Sequence, residues 1–116
     1  MKNLLDEVNR SNINVIWDIA HTAVHGETVE ESYRYLSNHL KHVHVKDFAN
    51  SGKIISDDPY DSWERFVPFG EGDFPLKELI KILQANDYQG VISVEMPASY
   101  AQADKCLLDF KNKFDI

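Results

Sequence analysis

The sequence predicts an α/β fold with a parallel sheet, on three observations. Short Val- and Ile-rich runs recur at residues 16–21, 42–47 and 91–95, and helical patterns alternate with them. Such runs, separated by helices, read as buried parallel strands with crossover connections. Each run also ends in a side chain that binds metals or moves protons. Strands lying side by side would bring Asp18, His44 and Glu95 to their shared C-terminal edge, where α/β proteins gather ligands.

The elements can be justified in chain order. Residues 2–10 read as a short helix with Leu4, Leu5 and Val8 on one face, ending at Ser11-Asn12. After the first strand, Thr28 with Glu31 three residues on forms a capping-box pattern. Val29, Tyr33, Leu36 and Leu40 then recur at helical spacing, which predicts a helix over 29–40. Beyond the second strand, residues 48–72 carry turn chemistry at Gly52, Asp57-Asp58-Pro59, Pro68, Gly70 and Gly72, a loop long enough to be a lid, a binding loop or a disordered segment. Pro75 marks a helix start whose inward face is Leu76, Leu79, Ile80 and Leu83, ending at Asn86-Asp87. After the third strand, a last helix over 100–110 aligns Ala103, Leu107 and Phe110, giving the order αβαβαβα.

With 116 residues, 43% of them hydrophobic and 27% charged, the chain reads as one domain over 1–116. The net charge of −7 and dispersed Lys and Arg argue against nucleic acid as a partner. Residues 1–12 lack the apolar core of a signal peptide, and no run approaches the ~20 apolar residues of a membrane span, so the expectation is a cytoplasmic protein without a membrane. Cys106 has no internal partner and reads as a buried structural thiol. Three strands leave both sheet edges open, whereas a (β/α)8 barrel takes roughly 250 residues, so the chain would supply less than half of one.

Aspartate, imidazole and glutamate form an oxygen and nitrogen set suited to Mn²⁺, Co²⁺, Zn²⁺ or Mg²⁺. A divalent ion there could polarise a carbonyl and acidify the neighbouring C–H, with Glu95 as ligand, base or both. Against this, an Asp at a strand end often serves as an N-cap or turn residue. His42 and His44 share a strand face; His44, nearer the C-terminal end, is the candidate ligand, and His42 suits a packed or supporting position. His21 could bond a substrate hydroxyl, orient Asp18 or be an ordinary loop histidine; His25 and His39 read as surface residues. Lys46 could hold an anion or pair with a helix carboxylate, and structure is favoured over catalysis. The Gly70–Asp73 turn offers backbone N–H groups, but Glu71 and Asp73 would repel phosphate, so a turn with a helix cap is the better reading. Trp17, Trp63 and Phe69 could wall a sugar face or simply be buried.

At these residues the chain resembles the sugar phosphate isomerase/epimerase family, the xylose isomerase-like TIM barrels that include an endonuclease IV branch. Trp17-Asp18-Ile19-Ala20-His21 is similar to that family's W-D-x-x-H segment, His42-Val43-His44-Val45-Lys46-Asp47 to H-x-H-x-K-D, and Pro68-Phe69-Gly70-Glu71-Gly72-Asp73 to P-x-G-E-G-D. Tyr88-Gln89-Gly90 with Ser93-Val94-Glu95 is similar to the closing Y-x-G-x-x-S-x-E strand. The resemblance implies a partial (β/α)8 barrel comprising about the last three βα units. It implies Asp18, His44 and Glu95 as metal ligands, Glu95 also as an acid/base residue, and His21 as a substrate-binding residue. The family's fourth ligand, a glutamate on the preceding strand, has no counterpart here. Asp47 is followed by Phe48-Ala49-Asn50 where members often carry an arginine.

The expected function is therefore that of a divalent metal-dependent sugar or sugar-phosphate isomerase/epimerase, transferring a proton through an enediolate and impaired as this chain alone. One alternative is a non-catalytic truncated barrel that homo-oligomerises through its open sheet edges. A lesser one is metal-dependent phosphodiester hydrolysis, as in the endonuclease IV branch. The partners expected are a small sugar substrate and either a second copy or an N-terminal barrel portion.

Overall fold

The computed structural model describes residues 2–49, 66–95 and 100–116. Helix α1 (Lys2–Val8) precedes β1 (Val15–Asp18), α2 (Ile19–Val24), α3 (Val29–Leu36), a 3-10 turn (Ser37–His39) and β2 (Leu40–Val45). Two short strands, β3 (Asp47–Phe48) and β4 (Phe66–Val67), come next, then α4 (Leu76–Ala85), β5 (Val91–Val94) and α5 (Tyr100–Phe114). The parallel sheet is present in the order β1-β2-β5, and β3 pairs antiparallel with β4.

Alternation along the strands decides which side is covered. Trp17, Val43 and Val45 are at most 1% exposed and join Ile19, Leu79 and Leu83 in the core. Fully burying a side chain of this size contributes about 1.5–3 kcal/mol, so this face holds the sheet to its helices. On the opposite face Ile16 and Val91 are each 58% exposed. Among the described residues α2, α3 and α4 all contribute to the core on the first face.

Local signals explain most elements. Thr28 and Glu31 make the capping box: the Glu31 N–H donates to Thr28 Oγ1 at 3.2 Å, and the Thr28 N–H donates to Glu31 Oε2 at 3.0 Å. Helix α3 ends at Leu36 rather than at residue 40, because Leu40 already pairs with Val15 as the first residue of β2. In α4 the four expected residues, Leu76, Leu79, Ile80 and Leu83, are the buried ones. Helix α1 stops at Val8, before Asn9 at φ 43°, and buries Leu5 while leaving Leu4 and Val8 exposed.

Helix α5 corrects two expectations. It runs on to Phe114, and Phe110, 2% exposed, packs between the rings of Phe69 and Phe114, with centroids 5.1 and 5.0 Å away. Leu107 and Leu108 face outwards, so Cys106 is half-buried rather than enclosed. Residues 50–65 of the expected loop, Trp63 among them, lie outside the described residues, as does the side chain of Ala103. Trp17 is buried on the helix side, where its indole N–H donates to Thr22 Oγ1 at 3.0 Å, and Phe69 packs on α5.

Candidate metal centre

Strand register brings the three candidate ligands together. Asp18 of β1 lies opposite His44 of β2, and His44 lies opposite Ser93 of β5. Two residues beyond Ser93, the Glu95 N–H donates to the Val45 carbonyl at 2.9 Å, continuing the ladder and returning the Glu95 side chain to the face of His44. The potential ligand atoms of Asp18, His44 and Glu95 all lie within 4.8 Å of one another. Donors around one ion at ~2.1 Å can be at most about 4.2 Å apart, so the set fits after a contraction of roughly half an ångström. All three side chains are partly buried, with relative exposures of 20%, 29% and 34%.

Each ligand candidate has a second partner that orients it. Asp18 is also the N-cap of α2, its Oδ1 accepting from the Ala20 N–H at 3.0 Å. The cap and ligand readings of this residue are compatible, since Oδ2 remains directed at the site. Helix α2 itself was not anticipated; its signals are this cap and the apolar Ile19, Ala20 and Ala23, all buried. His44 Nδ1 is 3.2 Å from Glu95 Oε2. His42 lies one layer lower, with Nε2 2.7 Å from Ser93 Oγ and its ring 4.7 Å from that of His44, edge to face. It thus packs beside the ligand set and outside it. His21 Nε2 is 3.6 Å from Asp18 Oδ2, too long for a hydrogen bond, and is exposed. His25 is exposed, while His39 Nε2 meets Asp6 Oδ1 at 3.0 Å and ties α1 to the turn before β2.

Two residues have larger parts than the sequence suggested. Lys46 is 1% exposed, and its Nζ lies 2.8 Å from Asp18 Oδ2 and 2.6 Å from Glu95 Oε2, joining two of the three ligand candidates. The period-two alternation that aligns His42 with His44 continues to Lys46 and is the signal that finds it. Asp47, 2% exposed, accepts from the Gly70 N–H at 2.7 Å and the Gly72 N–H at 3.2 Å through Oδ2, and from the Phe48 N–H at 3.0 Å through Oδ1. The N–H groups of Gly70 and Gly72 are therefore engaged by an internal carboxylate. That is the physical reason the turn is structural.

The donor set is oxygen-, nitrogen- and oxygen-bearing, anionic and partly exposed. Such a set can hold a hard or borderline divalent ion while leaving positions for a substrate. A cleft of about 550 Å³ adjoins it, running along Val15, Ile16, Trp17 and Asp18 and past His21 to Tyr35 of α3. Because β1 is an edge of the described sheet, this cleft runs along its outer edge.

Comparison with known proteins agrees with this architecture. The family described as xylose isomerase-like TIM barrel matches residues 1–109. The inosose dehydratase of Clostridium perfringens (strain 13 / Type A) is 27% identical over 100 residues, covering 79% of this chain and 33% of that protein. The inosose dehydratase of Clostridium tetani (strain Massachusetts / E88) is 27% identical over 107 residues, covering 87% and 36%. The chain thus spans about a third of the length of these relatives. Among solved structures, a xylose isomerase domain protein from Planctomyces limnophilus matches with a TM-score of 0.71 at 22% identity, over 97% of this chain and 40% of that one. A D-tagatose 3-epimerase-like protein matches with a TM-score of 0.66 at 24% identity, again over 97% and 40%. At these identities the two likenesses concern the fold.

Proposed function

The chain belongs to the xylose isomerase-like TIM barrel family, and we propose that it is the C-terminal, ion-binding part of a sugar or sugar-phosphate isomerase/epimerase that moves a proton on the carbon beside a carbonyl. The observation that carries this reading is the meeting of Asp18, His44 and Glu95 at the C-terminal ends of three parallel strands, with their ligand atoms within 4.8 Å. A bound Mn²⁺, Co²⁺, Zn²⁺ or Mg²⁺ would polarise the carbonyl and make the adjacent C–H acidic. Glu95, with a third of its side chain exposed on the open face, takes and returns the proton. Asp18 and His44 complete the ligand set, and exposed His21 reaches a substrate hydroxyl.

The curated relatives described above bear the name dehydratase. Loss of water from a β-hydroxy ketone starts with the same proton removal, so a dehydratase is the second reading. The two diverge after that step: an isomerase or epimerase returns the proton, whereas a dehydratase expels the β-hydroxyl as water.

The open sheet face calls for a polypeptide partner that completes the barrel, either an N-terminal barrel portion or a second copy of this chain. Exposed Ile16 and Val91 and the cleft along the β1 edge support this.

The test is calorimetric titration of Mn²⁺ into metal-free protein, beside Asp18→Ala, His44→Ala and Glu95→Ala variants that retain folding. Saturable binding weakened in all three supports the site, and absence of binding rejects it. Solvent deuterium entering a ketose beside its carbonyl, with or without loss of water, then separates dehydration from isomerisation.

A further inference from the structure

We propose that Lys46 is a tethered cation competing for the ion position: its ammonium holds Asp18 and Glu95 together in the ion-free chain, and a divalent ion displaces it. The inference rests on the ion-binding reading above and says what controls that site.

Three observations converge. The first is position: Lys46 comes two residues after His44, so alternation returns it to the ligand-bearing face. Second, it is the most enclosed charged group of the cluster, 1% exposed against 20% for Asp18 and 34% for Glu95. The third is which atoms it meets. Asp18 Oδ1 is engaged by the Ala20 N–H, so Oδ2 faces the site, and Oδ2 is the atom 2.8 Å from Nζ. Glu95 Oε2 is 2.6 Å from Nζ and 3.2 Å from His44 Nδ1. The ammonium therefore sits on the oxygens that an ion would use.

Electrostatics gives the consequence. Two carboxylates brought together without a counter-ion repel one another, and Lys46 removes that repulsion before any ion arrives. A dication entering beside it would meet a like charge a few ångströms away in a partly dry site, where such charges interact far more strongly than in water. The four-carbon stem of lysine lets the ammonium swing aside. Lys46 thus preassembles the ligand set and lowers its affinity for the ion, so that loading requires an exchange of one cation for another.

The test combines a variant with a measurement on the unaltered chain. Mn²⁺ titration by calorimetry should find Lys46→Met binding about tenfold or more tightly than wild type, because a competing charge has gone. In the wild-type chain, an amine-acylating reagent read by peptide mass spectrometry should leave Lys46 protected without ion and label it readily at saturating Mg²⁺. Equal or weaker binding by folded Lys46→Met, or protection of Lys46 unchanged at saturating ion, overturns the proposal while leaving the ion site standing. A wild-type chain that binds no ion overturns both. Where Lys46→Met does not fold, the labelling decides.

Discussion

Asp18 and Lys46, 28 positions apart in the chain, meet at 2.8 Å between Oδ2 and Nζ while the other oxygen of Asp18 caps α2 at 3.0 Å. One carboxylate thus fixes the start of a helix and faces the candidate ion site. The pairing is a result of register: Asp18 is opposite His44, and Lys46 is two residues further along the chain from His44, on the same face.

Because the two oxygens of Asp18 have separate tasks, two substitutions should separate them. Asp18→Asn retains a cap acceptor for the Ala20 N–H but not the charge; we expect it to fold with a modest loss of stability and to bind Mn²⁺ at least tenfold more weakly. Asp18→Ala should lose about 1 kcal/mol more, the ordinary contribution of an N-cap. Urea denaturation beside calorimetry checks both, and equal stability of the two variants would contradict the capping role.

Asp47 accepts three backbone N–H groups while almost wholly buried. Asp47→Ala leaves those donors without their carboxylate and should cost about 3 kcal/mol or more, since hydrogen bonds to a buried charged group are each worth roughly 1.5–3 kcal/mol. The midpoint of chemical denaturation reports this directly.

Gly72 allows that carboxylate to approach. A Cβ there would collide with Asp47 Oδ1 and lie 2.6 Å from the Phe48 carbonyl oxygen, and a backbone atom cannot step aside cheaply. Gly72→Ala should destabilise by about 1–3 kcal/mol. Gly70, at φ 96°, should also resist Ala, chiefly for a conformational reason, since what a Cβ would meet there is the flexible end of Lys113. A thermal melt of each variant distinguishes these costs from the near-neutral effect of an exposed turn substitution.

Glu31 supplies a pH dependence. The Thr28 N–H and then its hydroxyl, with a smaller contribution from Arg34, hold the Glu31 carboxyl below the usual carboxylate value. A depressed folded-state value adds stability above the unfolded-state value, and this is lost as pH falls through the folded-state value. The stability difference between wild type and Glu31→Gln should therefore be widest near neutral pH and shrink with acidification. A constant difference across thermal melts at successive pH values would remove the charge from the explanation.

The open sheet face predicts self-association of the isolated chain, if the proposed partner is a second copy. Light scattering at micromolar concentration should then find a dimer or larger species. The double variant Ile16→Glu, Val91→Glu should return it to monomer, since both exposed apolar residues lie on that face. A monodisperse wild-type monomer would leave the N-terminal barrel portion as the partner.

Local chemistry made much of this fold readable. The Val/Ile runs specify strands, the four inward residues of α4 recur at helical spacing, and Thr28 with Glu31 writes a helix start into two positions three residues apart. These are near-neighbour signals, carried by backbone preference and side-chain period, and they survive without knowledge of the rest of the chain. The same alternation makes Asp18, His44 and Glu95 candidates for one edge, though it cannot bring them together. Their convergence within 4.8 Å depends on the register of β1 against β2 and of β2 against β5, a long-range property set by packing. Long-range contact also explains what was not legible. Lys46 could be read as holding an anion or pairing with a helix carboxylate until the sheet put the strand-end carboxylates of Asp18 and Glu95 beside it. Asp47 has its role only because β3 meets β4 and the Gly70–Gly72 backbone folds over it. Leu107 fits an inward helical stripe by spacing alone, yet it is 47% exposed, because a helix face is buried only where another element comes to meet it.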